Sequence, residues 1–95
     1  MSTLDLKSIE PIFRENHVVY AGVFGSVARG EDTPGSDVDI LVKLARPVSL
    51  LTFFRFNDEL EAMLGRPVDL VTPNSLNRHV KPLAMAELKT LYEIR

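Results

Sequence analysis

Three aspartates and one Gly-Ser pair are the residues whose types and spacing could do chemistry. Asp37 and Asp39 stand two apart in DVDILVK, residues 37–43, and Asp69 stands in the later VDLV, residues 68–71. On an extended strand, alternate residues share a face and their Cα atoms lie about 6.6 Å apart. The carboxylates of Asp37 and Asp39 can therefore converge, and Asp69 on a neighbouring strand can supply a third side. Carboxylates gathered in this way repel one another and resist desolvation. A hard divalent cation relieves both costs, and magnesium takes oxygen ligands while leaving positions for substrate phosphates. Two such ions, about 4 Å apart, clamp the attacking and leaving oxygens of an in-line phosphoryl displacement. In that arrangement Asp37 and Asp39 bridge both ions. Asp69 serves the ion that activates an acceptor hydroxyl, and receives or passes on its proton.

Gly25-Ser26 suits the other end of such a substrate. A glycine lets backbone approach a phosphate closely, and backbone donors opening a short helix face an anion. The Ser26 hydroxyl can donate to the same phosphate, and Arg29 lies within one turn to add positive charge. No Gly-Lys-Ser/Thr triad follows, so this is not a Walker A loop. Each piece has an ordinary alternative: a turn for Gly-Ser, a solvated strand start for Asp-x-Asp, a strand-edge carboxylate for Asp69, a surface position for Arg29. Their conjunction is more specific than any of them. An apolar strand, a Gly-Ser break, a turn and a second strand opening on two carboxylates place phosphate donors and metal ligands at adjacent strand ends.

The elements that must position these groups follow from pattern. Val18–Phe24 (VVYAGVF) is β-branched and aromatic, and its near-continuous apolar character predicts a strand covered on both faces. Residues Ser26 to Arg29 predict a short helix with Gly30 as its left-handed exit, and Thr33-Pro34-Gly35-Ser36 has the order a type II turn prefers. The second strand, Asp37 to Lys43, sets Asp37, Asp39 and Leu41 on one face and Val38, Ile40 and Val42 on the other. Ser49 is the expected N-cap of a helix running to about Leu64 with Gly65 as its C-cap, striped by Leu50, Phe53, Phe54, Leu60 and Leu64. The third strand, Val68–Val71, puts Asp69 and Val71 on one face, with Pro67 at its tolerated start. Thr3 to Glu15 reads as loosely helical, with a kink at Pro11 or a short turn before a helix starting near it. Asn74 to Arg95 reads as helix, its main segment opened by Pro82, with a stripe of Ala84, Leu88 and Leu91 widened by Met85 and Tyr92. The expected architecture is α/β in a single domain, residues 1–95: a small mixed β-sheet backed by helices, with three central strands and room for a minor fourth.

The chain has 95 residues, 45% of them apolar and 25% charged, with a formal net charge of −2. That balance fits one folded domain with a limited core and is too weak to argue for a basic surface, so direct nucleic-acid binding is not expected. The absence of cysteine removes disulfides, thiolate catalysis and cysteine-ligated zinc, and is compatible with the cytoplasm. No apolar run approaches the roughly 20 residues of a membrane span, and the first residues do not resemble a signal peptide. His17 and His79 are not spaced as a ligand pair. Phe53, Phe54 and Phe56 fit burial or an interface better than base stacking, and Arg46, Arg55, Arg66 and Arg78 are scattered, with solvated positions as the default.

The stretch GSVARGEDTPGSDVDILV, residues 25–42, with ten residues between Gly-Ser and Asp-x-Asp, and PVDLVTP, residues 67–73, closely resemble the minimal nucleotidyltransferase family of the polymerase-beta-like superfamily. The resemblance spans nearly the whole chain and implies that superfamily's fold. It implies that Gly25 and Ser26 contact the triphosphate of ATP and that Asp37, Asp39 and Asp69 bind magnesium. Many small members resemble antitoxins paired with a HEPN-domain ribonuclease toxin, transferring AMP to a tyrosine of that toxin. By this resemblance the chain is expected to be a protein adenylyltransferase. The alternatives are an antitoxin that neutralises by binding alone and a transferase acting on a small molecule. The little chain left beyond the sheet favours a macromolecular acceptor, because the acceptor itself, or a second copy of the chain, must complete the pocket.

Overall fold

Val18–Phe24 forms strand β1, the centre of a four-stranded sheet. The computed structural model describes residues 5–94, so Thr3 and Leu4 at the start of the expected first helix, and Arg95 at the end of the last, lie outside the described residues. Before β1 come a 3-10 turn, Leu6–Ile9, and helix α1, Glu10–Glu15. Pro11 sits in the first turn of α1, where its missing N–H breaks no helical bond, so the alternative of a short turn and then a helix holds. His17 turns the chain into β1 with a left-handed φ of 61°.

After β1 come α2 (Gly25–Arg29), β2 (Val38–Leu44), α3 (Leu50–Leu64), β3 (Val68–Val71), a 3-10 turn (Pro73–Ser75), α4 (Lys81–Glu87) and β4 (Lys89–Glu93). The sheet order is β3-β2-β1-β4. β1 runs antiparallel to both β2 and β4, whereas β2 and β3 are parallel, joined by the α3 crossover. The sheet is therefore mixed, as expected.

Alternation sorts the strands' side chains onto two faces. One face buries Val18, Ala21, Val23, Val38, Ile40, Val42, Val68 and Leu70 against Ile9, Ile12 and Phe13 of the N-terminal segment and Phe56 and Leu60 of α3. Phe56 meets Phe13 edge-on, with centroids 6.1 Å apart at 86°, a favoured aromatic geometry. The other face carries a smaller cluster, Phe24, Leu41 and Ala84, with Tyr20, Val71 and Leu88 packed beside it. β1 is thus covered on both sides, as its apolar run predicts.

α3 begins at Ser49, whose side chain accepts from the Thr52 N–H, and ends at left-handed Gly65. Phe56 and Leu60 carry its buried stripe, while Leu50 and Phe54 are 68% and 55% exposed. Those two therefore leave the expected stripe, and two further expectations fail. Ser36 closes the 33–36 turn onto the Thr33 carbonyl at 2.9 Å, but Gly35 lacks the positive φ that a type II turn demands. The segment from Asn74 is not one helix: α4 ends at Glu87, and Leu88 turns the chain into β4. Leu91 and Tyr92, expected on a helical stripe, instead lie on a strand where Ala21 pairs with Tyr92 and Gly22 with Thr90. Pairing with the unsatisfied edge of β1 outweighs a local 3–4 spacing that a strand also accommodates.

Candidate active site

Antiparallel pairing brings the end of β1 beside the start of β2: Phe24 is the Cα partner of Asp39. Parallel pairing then sets Asp39 directly across from Asp69. Asp37 lies just before β2, two residues from Asp39 and near enough for its charge to act on that carboxyl. Gly25, Asp37, Asp39 and Asp69 thus meet where three neighbouring strands present one end. Asp39 is half-buried, while Asp37 and Asp69 are exposed.

Gly25 is required twice over. Its φ is +72°, and a β-carbon there would collide with the Asp39 carboxylate, so the backbone and the carboxylate share a space that only glycine leaves open. Gly25 opens α2, which closes at left-handed Gly30, with the Glu31 N–H donating to the Ser26 carbonyl at 2.9 Å. The expected short helix and its exit are both present, and they hold half-buried Ser26 in the first turn.

The electrostatics fit a cation. Burial pushes the Asp39 carboxyl above its ordinary value, the charges of Asp69 and Asp37 push it further, and Arg29 partly opposes them. Among the described residues no three acidic or histidine side chains stand together as a ready-made metal cage. Mutually repelling carboxylates splay apart without a counter-charge, and a magnesium site that borrows phosphate oxygens does not need a complete protein cage. The donor set is all carboxylate oxygen, the type magnesium takes, and Asp39 is destabilised in the way a bound cation would relieve. Asp37, Asp39 and Asp69 therefore fit the group.

Arg29 is already engaged. Its Nε donates to Glu31 at 2.8 Å and its Nη1 to Glu87 at 2.6 Å, and these bonds hold its pKa above the ordinary value. Glu87 also accepts the Gly25 N–H at 3.3 Å, and the Arg29 bond draws its carboxyl below the usual range. No periodicity marked Glu87. Arg66 is a second residue the sequence did not mark: assigned by default to solvent, its side chain is only 10% exposed. Its guanidinium donates twice to the Ser36 carbonyl, at 3.1 and 3.0 Å, and to Asp32 at 3.0 Å. It thereby fixes the loop that delivers Asp37. Arg46 is exposed and hydrogen-bonds His17 at 2.8 Å, and Arg55 and Arg78 are exposed. His17 and His79 are both exposed, as expected.

A sheet of this order, with a glycine-opened helix against a strand entered through Asp-x-Asp, defines a nucleotide-transfer class of site. Residues 6–91 match the nucleotidyltransferase domain family, and the chain belongs to it. Protein adenylyltransferase MntA of Thermococcus cleftensis is 42% identical over 96 aligned residues, covering 93% of this chain and 97% of that protein. A toxin–antitoxin crystal structure with AMP-PNP contains a chain of the same fold, with a TM-score of 0.83 at 24% identity over 97% of this chain and 76% of that one. A complex of tri-AMPylated Shewanella oneidensis HEPN toxin with an MNT antitoxin matches at 0.72 and 22% identity, over 94% of this chain and 70% of that one. These two structures bear on the fold alone.

Proposed function

We propose that this chain transfers AMP from ATP to a tyrosine hydroxyl of a partner HEPN ribonuclease toxin and so silences it, acting in the cytoplasm as an antitoxin. The observation that carries the reading is the meeting of Gly25 with Asp39, and of Asp39 with Asp69, at one end of three strands. The relative named protein adenylyltransferase supports a protein acceptor, and the resemblance to minimal nucleotidyltransferase antitoxins supports a HEPN toxin as that protein.

In this reading the Gly25 N–H and the Ser26 hydroxyl hold the triphosphate. Asp37, Asp39 and Asp69 would hold magnesium, two ions by the chemistry of the reaction. Bound magnesium supplies positive charge against the phosphate oxygens and lowers the cost of ionising the acceptor. The acceptor oxygen attacks the α-phosphorus, the bond from that phosphorus to the bridging oxygen of the β-phosphate breaks, and pyrophosphate leaves. The hydroxyl proton passes to the Asp69 carboxylate, which is exposed and can release it to water. The acceptor closes over the open strand ends and excludes water.

The direct test incubates the protein with α-labelled ATP, magnesium and the toxin encoded beside its gene. Label on the toxin, lost in Asp37→Ala and Asp39→Ala proteins that remain folded, is the expected result. An unlabelled toxin beside an active control overturns the reading. Neutralisation that survives both substitutions makes the chain a binding antitoxin, and transfer to a small molecule without the toxin makes it a transferase of another kind.

A further inference from the structure

The Glu87 carboxylate occupies the donors that a nucleotide's phosphate needs. It accepts the Gly25 N–H at 3.3 Å and takes the Arg29 guanidinium at 2.6 Å. A backbone N–H has one hydrogen, so Gly25 cannot serve Glu87 and a phosphate fully at once. A carboxylate and a phosphate oxygen are the same kind of ligand here: anionic, acceptor-only and best met by charge-assisted donors.

The position of Glu87 makes this more than a surface ion pair. It is the last residue of α4, the helix that lays Ala84 and the following Leu88 over the Asp39 face of the sheet. Its charge adds to those already crowding Asp39. It reaches back to α2 across 62 positions of sequence, and so ties the C-terminal segment to the opening turn of the phosphate helix. The pair is partly exposed, with side-chain exposures of 45% for Arg29 and 29% for Glu87. A contact of that kind is weak enough to be broken by a competing ligand.

We propose that Glu87 is an internal stand-in for the nucleotide's phosphate, and that nucleotide binding at Gly25 and Ser26 requires its displacement. The proposal rests on the nucleotide reading of that end of the site. Glu87 sets nucleotide affinity by competition, since the apparent dissociation constant is the intrinsic one divided by the fraction of molecules in which the carboxylate is unseated. Release of Glu87 also frees the end of α4, leaving Ala84 and Leu88 to hold it against the sheet.

The test measures binding of AMP-PNP with magnesium to the full chain by calorimetry, in wild type, Glu87→Gln and Glu87→Ala, with thermal unfolding of each free protein. The glutamine keeps the shape without the charge, and the alanine removes both. Competition predicts binding that is tighter by about two- to tenfold in both variants, together with a lower melting temperature of the free proteins, because the ion pair with Arg29 is gone in both and the hydrogen bond as well in the alanine variant. A residue that merely positions Arg29 or supports α4 gives the opposite sign, with weaker binding and lower melting temperature together. Unchanged or weaker binding in variants that remain folded overturns the proposal while leaving the nucleotide reading intact. A folded wild-type chain that binds no nucleotide overturns the nucleotide reading, and the proposal with it.

Discussion

Three glycines with nearly the same backbone angle make an internally controlled experiment on the site. Gly25, Gly30 and Gly65 have φ values of 72°, 71° and 70°. Alanine at any of them meets the same left-handed strain, about 1–2 kcal/mol. Among the described residues a β-carbon at Gly30 or Gly65 meets nothing within 4 Å, whereas at Gly25 it strikes the Asp39 carboxylate, with Cγ at 3.2 Å and Cβ at 3.5 Å. Relieving that overlap adds an overpacking cost of about 1–3 kcal/mol. For a domain of this size each kcal/mol shifts the melting temperature by about 4–8 °C. G25A should therefore melt roughly 4–24 °C below G30A and G65A. The assay is thermal unfolding of the metal-free proteins followed by circular dichroism, repeated in a D39A background. With the carboxylate gone, only the ordinary 3.5 Å contact remains, so the excess cost of G25A should vanish and the double-mutant cycle should show a coupling of about 1–3 kcal/mol. G25A that costs no more than G30A, or costs the same with and without Asp39, would refute the claim that this glycine exists to admit the carboxylate.

Asp39→Asn should stabilise the metal-free protein near neutral pH while abolishing transfer. The raised carboxyl of Asp39 means that the folded state binds its proton more tightly than the unfolded chain, so its contribution is fully present below about pH 3.9 and is lost as pH rises through the folded value. The urea midpoint of the asparagine variant should therefore gain on wild type as pH increases over that range, and a constant difference refutes the cause. Arg66→Ala should cost about 1.5–3 kcal/mol in urea unfolding, since it strips charged hydrogen bonds from Asp32 and the Ser36 carbonyl. It should also slow transfer by loosening Asp37, with Arg66→Lys recovering part of both. Phe56→Ala, at a site 2% exposed, should cost about 3–5 kcal/mol and leave little of the stability of a small domain. Ser49→Ala should cost about 1 kcal/mol through loss of the cap on α3, with activity unchanged.

What was legible in the sequence was what short-range geometry decides. Alternation around Asp37 and Asp39 told which residues share their face, and the 25–30 stretch carried its own helix and exit. Ser49 and Gly65 marked α3 because caps are local chemistry. The losses were contacts between distant segments. Lys89–Glu93 has no strong strand pattern of its own and becomes a strand because β1 offers an open edge. Glu87 and Arg66 act on partners 62 and 30 residues away, and neither spacing nor residue type signals those reaches. The turn at 33–36 shows a smaller failure: Pro-Gly order favours a type II turn, but Gly35 does not take the positive φ that it requires.

The parallel pairing of β2 and β3 gives the two strands a proofreading relation. Val68 and Leu70 go to the large core while Asp69 faces out beside Asp39. A slip of one position would turn Asp69 into that core and expose both aliphatic neighbours, giving up about 1.5–3 kcal/mol for each of them, besides stranding a charge in an apolar layer. Misaligned reactive groups are thus not an available near-native state of the molecule, because oil–water partition rejects them before any substrate arrives.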